Sequence, residues 1–238
     1  MDNASYTALT RQSGLMREMQ VIANNIANAS TTGFRAEGVM FSEHVKALGP
    51  DSPSLSMATA EVRETVMTQG SLTQTGGAFD LAIEGDGFFL IETPNGQRLT
   101  RAGSFGPNEN GDLVTHEGYP VLDAGGAPVF VPQGVGRIGI GADGTISAGG
   151  QPIGQIGLFI PTDPNQMIRE SGVMFDAQGG FEPAPDGRTL QGFLEESNVN
   201  PILQISRMIE VQRAYEMGQS FLDKEHERIR SVIQTVRQ

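Results

Sequence analysis

The chain has 238 residues, a net charge of −12 and no cysteine. A general binder of nucleic acid or of anionic membrane is excluded, because both need clustered Lys and Arg. Disulfides and cysteine-held metals are excluded as well, and no run of about 18 apolar residues could span a bilayer.

The first predicted element is a helix. Met1, Ser5, Ala8, Gln12, Leu15, Met19, Ile22, Ile26 and Ala29 alternate by four and three, the spacing of one helix seam. Asp2 and Asn3 are candidate caps at its start. Thr32-Gly33 is expected to stop it, with Gly33 in the left-handed position and Phe34 making the following contact. Residues 35–75 read as an extended connector, with a loop at Pro50–Ser54.

A β-rich body follows over 76–196. Turn pairs punctuate it at Asp86-Gly87, Asn95-Gly96, Asn110-Gly111, Gly125-Gly126, Asp143-Gly144, Gly179-Gly180 and Asp186-Gly187. Strands are expected at 80–83, 88–92, 98–101, 113–115, 119–122, 129–131, 137–140, 156–160 and 189–194. Spacing near ten residues points to an antiparallel barrel or sandwich.

The last element is a helix that starts at Asn200-Pro201, a cap with Pro at the first helical position. Met208, Val211, Tyr215, Gly218, Leu222, Glu225, Ile229, Val232 and Val236 keep the four-and-three alternation, and seven of the nine are apolar. Long helices carrying one narrow apolar stripe need partners, within the chain or outside it. The expected architecture is α+β. The helices at 1–34 and 197–238 pack as an antiparallel, coiled-coil-like pair, and the all-β body is inserted between them. Charge follows the same division. Residues 42–200 hold seven basic and twenty acidic side chains, whereas both ends are close to neutral.

Chemistry finds little foothold. Asp80, Glu84 and Asp86 are the densest carboxylates beside aromatic residues, and an acid–base pair for glycan cleavage is one reading of them. Hairpin-turn chemistry at Gly85-Asp86-Gly87 is the other. His44, His116 and His226 lack ligand spacing. Asn110-Gly111-Asp112 and Asp143-Gly144 lack the ordered oxygens of a calcium loop. Gly85-Asp86-Gly87 is not followed by a helix that could seat a phosphate. No catalytic residue, metal or cofactor is expected.

The segment Ala23-Asn24-Asn25-Ile26-Ala27-Asn28-Ala29-Ser30-Thr31-Thr32-Gly33-Phe34 resembles the N-terminal signature of the flagellar rod and hook proteins. The string from Asp80 to Phe89, then Thr100–Phe105 with Asn110–Thr115, is similar to the opening of that family's body. Ser197–Asn200 and Met208–Glu216 resemble its C-terminal signature. The opening Met1–Tyr6 and the modest length are like the proximal-rod members rather than the distal-rod or hook ones.

This resemblance implies a polymerising structural subunit of the bacterial rod. Its partners would be other copies of itself, neighbouring proximal and distal rod subunits, and the type III export apparatus. The apparatus would account for the lack of a cleaved signal peptide on a periplasmic protein. Leu15, Met19, Ile22, Ile26, Met208, Val211, Tyr215, Leu222, Ile229, Val232 and Val236 are then candidate assembly residues; the alternative is a core facing only the other helix. Asn24, Asn25 and Asn28 have two readings: amides that fix register against neighbouring subunits, or amides that cap the helix end.

Overall fold

The computed structural model describes residues 3–46, 55–132, 134, 136–184 and 186–236, and their side chains except those of 3–5, 41–63, 233 and 236. The chain forms two compact units. One holds Met1–Ala29, Ala36–Val66 and Val199–Gln238; the other holds Ser30–Arg35 and Met67–Asn198.

The first unit contains α1 (Asn3–Ala27), β1 (Glu37–Lys46), β2 (Leu55–Thr65) and α2 (Pro201–Val236). Asn200 caps α2 as its sequence predicts: Oδ1 accepts from the amides of Ile202 (3.1 Å) and Leu203 (3.2 Å). α1 ends earlier than expected, at Ala27 rather than near Thr32. The cause is local, since the Asn28 side-chain amide donates to the Asn24 carbonyl at 2.9 Å and competes for the last turn's acceptors. Gly33 does adopt a left-handed φ of +69°, but six residues beyond the helix, so it is not the helix cap.

α1 packs along α2 and also touches both strands of the hairpin. Gln12 meets Tyr215, Glu18 meets Arg207 and Asn25 meets Gln204, so the two helices run antiparallel. With 25 and 36 residues they are about 38 Å and 54 Å long, and α2 outruns α1 at its C-terminal end. In place of an extended connector, β1 and β2 form an antiparallel ladder from Glu37–Thr65 to Lys46–Leu55, with a register shift at Met40/Phe41. Ala, Ser, Thr and charged residues dilute its alternation, which hid the hairpin from a pattern reading. The loop expected at Pro50–Ser54 lies outside the described residues.

The second unit is the β body. Its strands are β3 (Leu72–Gln74), β4 (Leu81–Glu84), β5 (Phe88–Thr93), β6 (Gly96–Thr100), β7 (Gly106–Pro107), β8 (Leu113–Val114), β9 (Ile138–Ile140) and β10 (Thr145–Ala148). They continue with β11 (Gln151–Gln155), β12 (Leu158–Pro161), β13 (Met167–Arg169), β14 (Met174–Ala177), β15 (Phe181–Pro183), β16 (Arg188–Gln191) and β17 (Phe193–Glu195). An antiparallel six-stranded sheet has the order β13-β14-β6-β5-β12-β15. Beside it stand β11-β10-β9 and the pairs β16-β4, β17-β3 and β7-β8. The segments expected as strands at 119–122 and 129–131 make only isolated bridges. Pro120, Pro128 and Pro132 remove the amides a ladder would need.

β5 is the centre of the body. Side chains alternate across a strand, so Phe89 and Ile91 enter one cluster, with Leu81, Leu113, Val121 and Ile146. Phe88 and Leu90 enter the other, with Leu99, Phe159 and Phe175. Each such side chain contributes roughly 1.5–3 kcal/mol on burial before ordering costs. The strand reads as a continuous apolar run because it is covered on both faces.

Candidate functional site

The helix pair has a thin core. Leu15, Ile22 and Val211 are buried, and Met19, Ile26, Met208, Ala214 and Tyr215 pack around them half-buried. Polar contacts fix the register. Glu18 Oε1 accepts from Arg207 Nη2 at 2.7 Å. Gln12 Nε2 donates to the Tyr215 carbonyl at 2.9 Å. Gly218 makes room for that amide, because a Cβ there would lie 2.5 Å from Gln12 Nε2.

The asparagines separate into different roles. Asn25 is buried, and its amide brackets the backbone of Glu37: Nδ2 donates to the carbonyl (2.8 Å) and Oδ1 accepts from the amide (2.9 Å). It therefore sets register between α1 and β1 inside the chain. Asn24 is exposed, and Asn28 bonds back to it within the helix end.

Further along α2, Leu222 is half-buried while Ile229 and Val232 are exposed; the Val236 side chain lies outside the described set. The sequence reading missed other apolar residues of α2. Ile202 is 77% exposed, and Leu203, Ile205, Ile209, Met217 and Phe221 are exposed as well. At 100° per residue, Ile202, Ile205 and Ile209 share a sector of about 60°, on the side away from Val211. Their i, i+3, i+7 spacing is the signal that marks them in the sequence, beside the stronger seam through Val211. α1 likewise exposes Tyr6, Leu9 and Met16.

Within the β body lies a buried ionic cluster that sequence reasoning also missed. Glu195 Oε1 is 2.7 Å from Arg35 Nη1, and Oε2 is 3.0 Å from Arg101 Nη1. Glu195 is fully buried, and both arginines are at most 3% exposed. Burial pushes the Arg35 guanidinium down to about 10, against the pull of Glu195, and lowers Arg101 for the same reason. Phe34, buried beside Arg35, stacks on Arg169, whose guanidinium lies 4.3 Å from the Phe34 ring and 4.6 Å from that of Phe175. No local spacing marks this cluster, since its members stand far apart in the chain.

The carboxylates considered for catalysis are turn and strand residues. Asp80 Oδ2 accepts from Thr75 Oγ1 at 2.6 Å. Glu84 ends β4, opposite Arg188. Asp86 sits exposed between Gly85 and Gly87, whose φ values are +89° and +133°. The Gly85 carbonyl accepts from Arg101 Nη2 at 2.8 Å, so this turn is tied to the buried cluster. Among the described residues no group of His, Asp and Glu could hold a metal, and no helix is long and apolar enough to cross a membrane.

Three family models match in chain order. They are the flagella basal body rod protein over residues 6–35, the flagellar hook protein FlgE/F/G D1 domain over 82–148, and the flagellar basal body rod FlgEFG protein C-terminal over 190–235. The chain is 41% identical over 241 residues to the flagellar basal-body rod protein FlgF of Caulobacter vibrioides, covering 98% of each chain. It is 43% identical to FlgF of Mesorhizobium japonicum, over 91% of this chain and 90% of that one. With the rod protein FlgG of Bacillus subtilis it shares 30% identity over 96% and 97% of the two chains. The chain therefore belongs to the flagellar basal-body rod protein family, in its FlgF branch.

Proposed function

We propose that this protein is a structural subunit of the proximal rod, polymerising through α1 and α2 into the periplasmic shaft that passes torque outward. In this reading the helices form a coiled-coil-like inner layer. The body, closed as an antiparallel barrel or sandwich around its six-stranded sheet, forms the outer one. The protein leaves the cell by the flagellar export apparatus, without a cleaved signal peptide, and meets copies of itself and other rod subunits. It needs no catalytic residue, cofactor or metal.

One observation carries the reading. α2 presents apolar side chains on more than one side, and α1 covers only the side through Val211. Apolar faces of this extent on a soluble chain mark an interaction surface. Contacts between different faces of successive copies build open helical assemblies rather than closed rings.

The exposed face gives the cleaner test. Val211→Glu would place a charge inside the α1–α2 core, so its effect would mix folding with assembly. Ile209→Glu changes a side chain that is 46% exposed. The variant is expected to fold like the parent and to be exported, yet to be missing from isolated basal bodies, leaving cells non-motile. Normal rods carrying the variant would overturn the assignment of this face.

A further inference from the structure

The ionic cluster in the β body has a geometry that a simple core ion pair would not need. The chain enters and leaves this unit at residues 30, 35, 67 and 198. Glu195 touches every one of those passes. Its backbone carbonyl accepts from the Gly33 amide at 2.7 Å. Its Oε1 accepts from Arg35 Nη1 at 2.7 Å and from the Gly70 amide at 2.9 Å. Its Oε2 accepts from Arg101 at 3.0 Å, at the end of β6. Arg35 Nη1 also donates to the Thr68 carbonyl. Asn198 closes the circuit, with its amide donating to the Phe34 carbonyl (3.3 Å) and its Nδ2 to the Thr68 carbonyl (2.8 Å).

Sterics hold these approaches close. A Cβ on Gly33 would lie 2.3 Å from the Ala102 amide nitrogen, and one on Gly70 would lie 2.0 Å from the Glu196 carbonyl oxygen. The cluster holds two guanidiniums and one carboxylate. Arg35 Nε, Arg35 Nη2 and Arg101 Nε have no hydrogen-bond partner among the described residues. Buried ion clusters are a poor source of stability, and an apolar trio would serve a core as well or better. A device that must hold several backbones at one point does need a multidentate acceptor, and a carboxylate with its own carbonyl provides one.

We infer that Glu195 is the tie-point of the molecule, a single residue that makes the three terminal passes of the body, 30–35, 67–70 and 195–198, open and close as one unit. A pull on any of them is shared with the other two and with β6 through Arg101. That this sharing carries load in a rod rests on the assembly reading; the tie itself does not.

Hydrogen exchange on the full-length protein in dilute solution tests the tie apart from any rod. The amides of Gly33, Gly70 and Asn198 report the three passes, and those of Leu90 and Leu99 report the sheet. In the parent protein the three reporters are expected to agree within about threefold, as members of one cooperative unit do. In Glu195→Gln all three should lose about 100-fold or more of their protection, as removal of one charge from a buried pair implies. Leu90 and Leu99 should lose far less.

Should Glu195→Gln not fold, Arg35→Met decides the matter, because it leaves a neutral Glu195–Arg101 pair. It is expected to lower all three reporters by a common factor. Loss at Gly33 alone would overturn the proposal, and so would equal loss at the reporters and the sheet. Normal motility of a variant whose reporters fall together would leave the tie standing and remove the load-bearing role.

Discussion

The helix pair and the β body solve burial in opposite ways. The body shelters its apolar residues in two clusters, one on each face of β5, and leaves few large ones outside. The helix pair buries Leu15, Ile22 and Val211, yet exposes Ile202, Leu203, Ile205, Ile209, Met217 and Phe221 on α2 alone. A helix whose apolar residues point several ways is stabilised mainly by whatever packs on those sides. The body closes its apolar clusters within one molecule, whereas the helix pair leaves apolar faces of α2 uncovered.

The widest expected gap is dynamic. In the dilute chain, amides of α2 beyond Leu222 have no α1 alongside and should exchange close to unprotected rates. Those of β5 should exchange only on global opening, at least about 1,000-fold more slowly. Equal protection across 222–232 and 88–92 would break the comparison.

Cavity formation should show the same contrast. Phe89→Ala empties the centre of the larger cluster and is expected to cost about 3–5 kcal/mol in denaturant melts of the body. Ile22→Ala, in a core of three buried side chains, should cost about 2 kcal/mol, the low end for such truncations, because so thin a core can collapse around the gap. A cost at Ile22 matching that at Phe89 would show the pair to be a self-sufficient core.

The smallest effect concerns surface charge on the body. Arg98 bonds to Glu170 and holds its carboxyl below the ordinary value of 4.5, with help from Asn95. A depressed folded pKa contributes stability that is present above the unfolded value and lost as pH falls through the folded one. The body's melting temperature should therefore drop below pH 4.5, slightly less steeply in Glu170→Gln. An identical acid slope in that variant would show the bond to be screened into irrelevance.

How far the sequence could be read varies by element, and the reasons are physical. The seam of four and three announced both helices, and Asn200-Pro201 fixed the start of α2 to the residue, because caps and periodicity are local. The turn at Asn95-Gly96 between β5 and β6 is legible for the same reason, whereas Asp86-Gly87 bends the chain without making a hairpin, because β4 pairs with β16 and β5 with β6. Within the body, strands β3, β7, β10, β11 and β13–β15 were not legible. They are short, carry Gly or Pro among or beside them, and are held by sheet neighbours rather than by propensity.

The candidate site divides in the same manner. The apolar seam of α2 could be listed residue by residue, but only the packed helices showed which members are covered and which stand free. Only the fold shows that the Asn25 amide closes on the backbone of Glu37.

By itself the sequence determined that this chain begins and ends in long helices, carries an acidic β body between them, and belongs with the rod proteins. It could do so because periodicity, turn residues and signature strings act over a few neighbours in the chain. Tertiary structure alone decided where the chain leaves the helix pair and enters the body, and which carboxylate gathers the crossings. Arg35 and Glu195 are 160 positions apart, and no local pattern can say that two such residues will meet, because that is settled by the packing of everything between them.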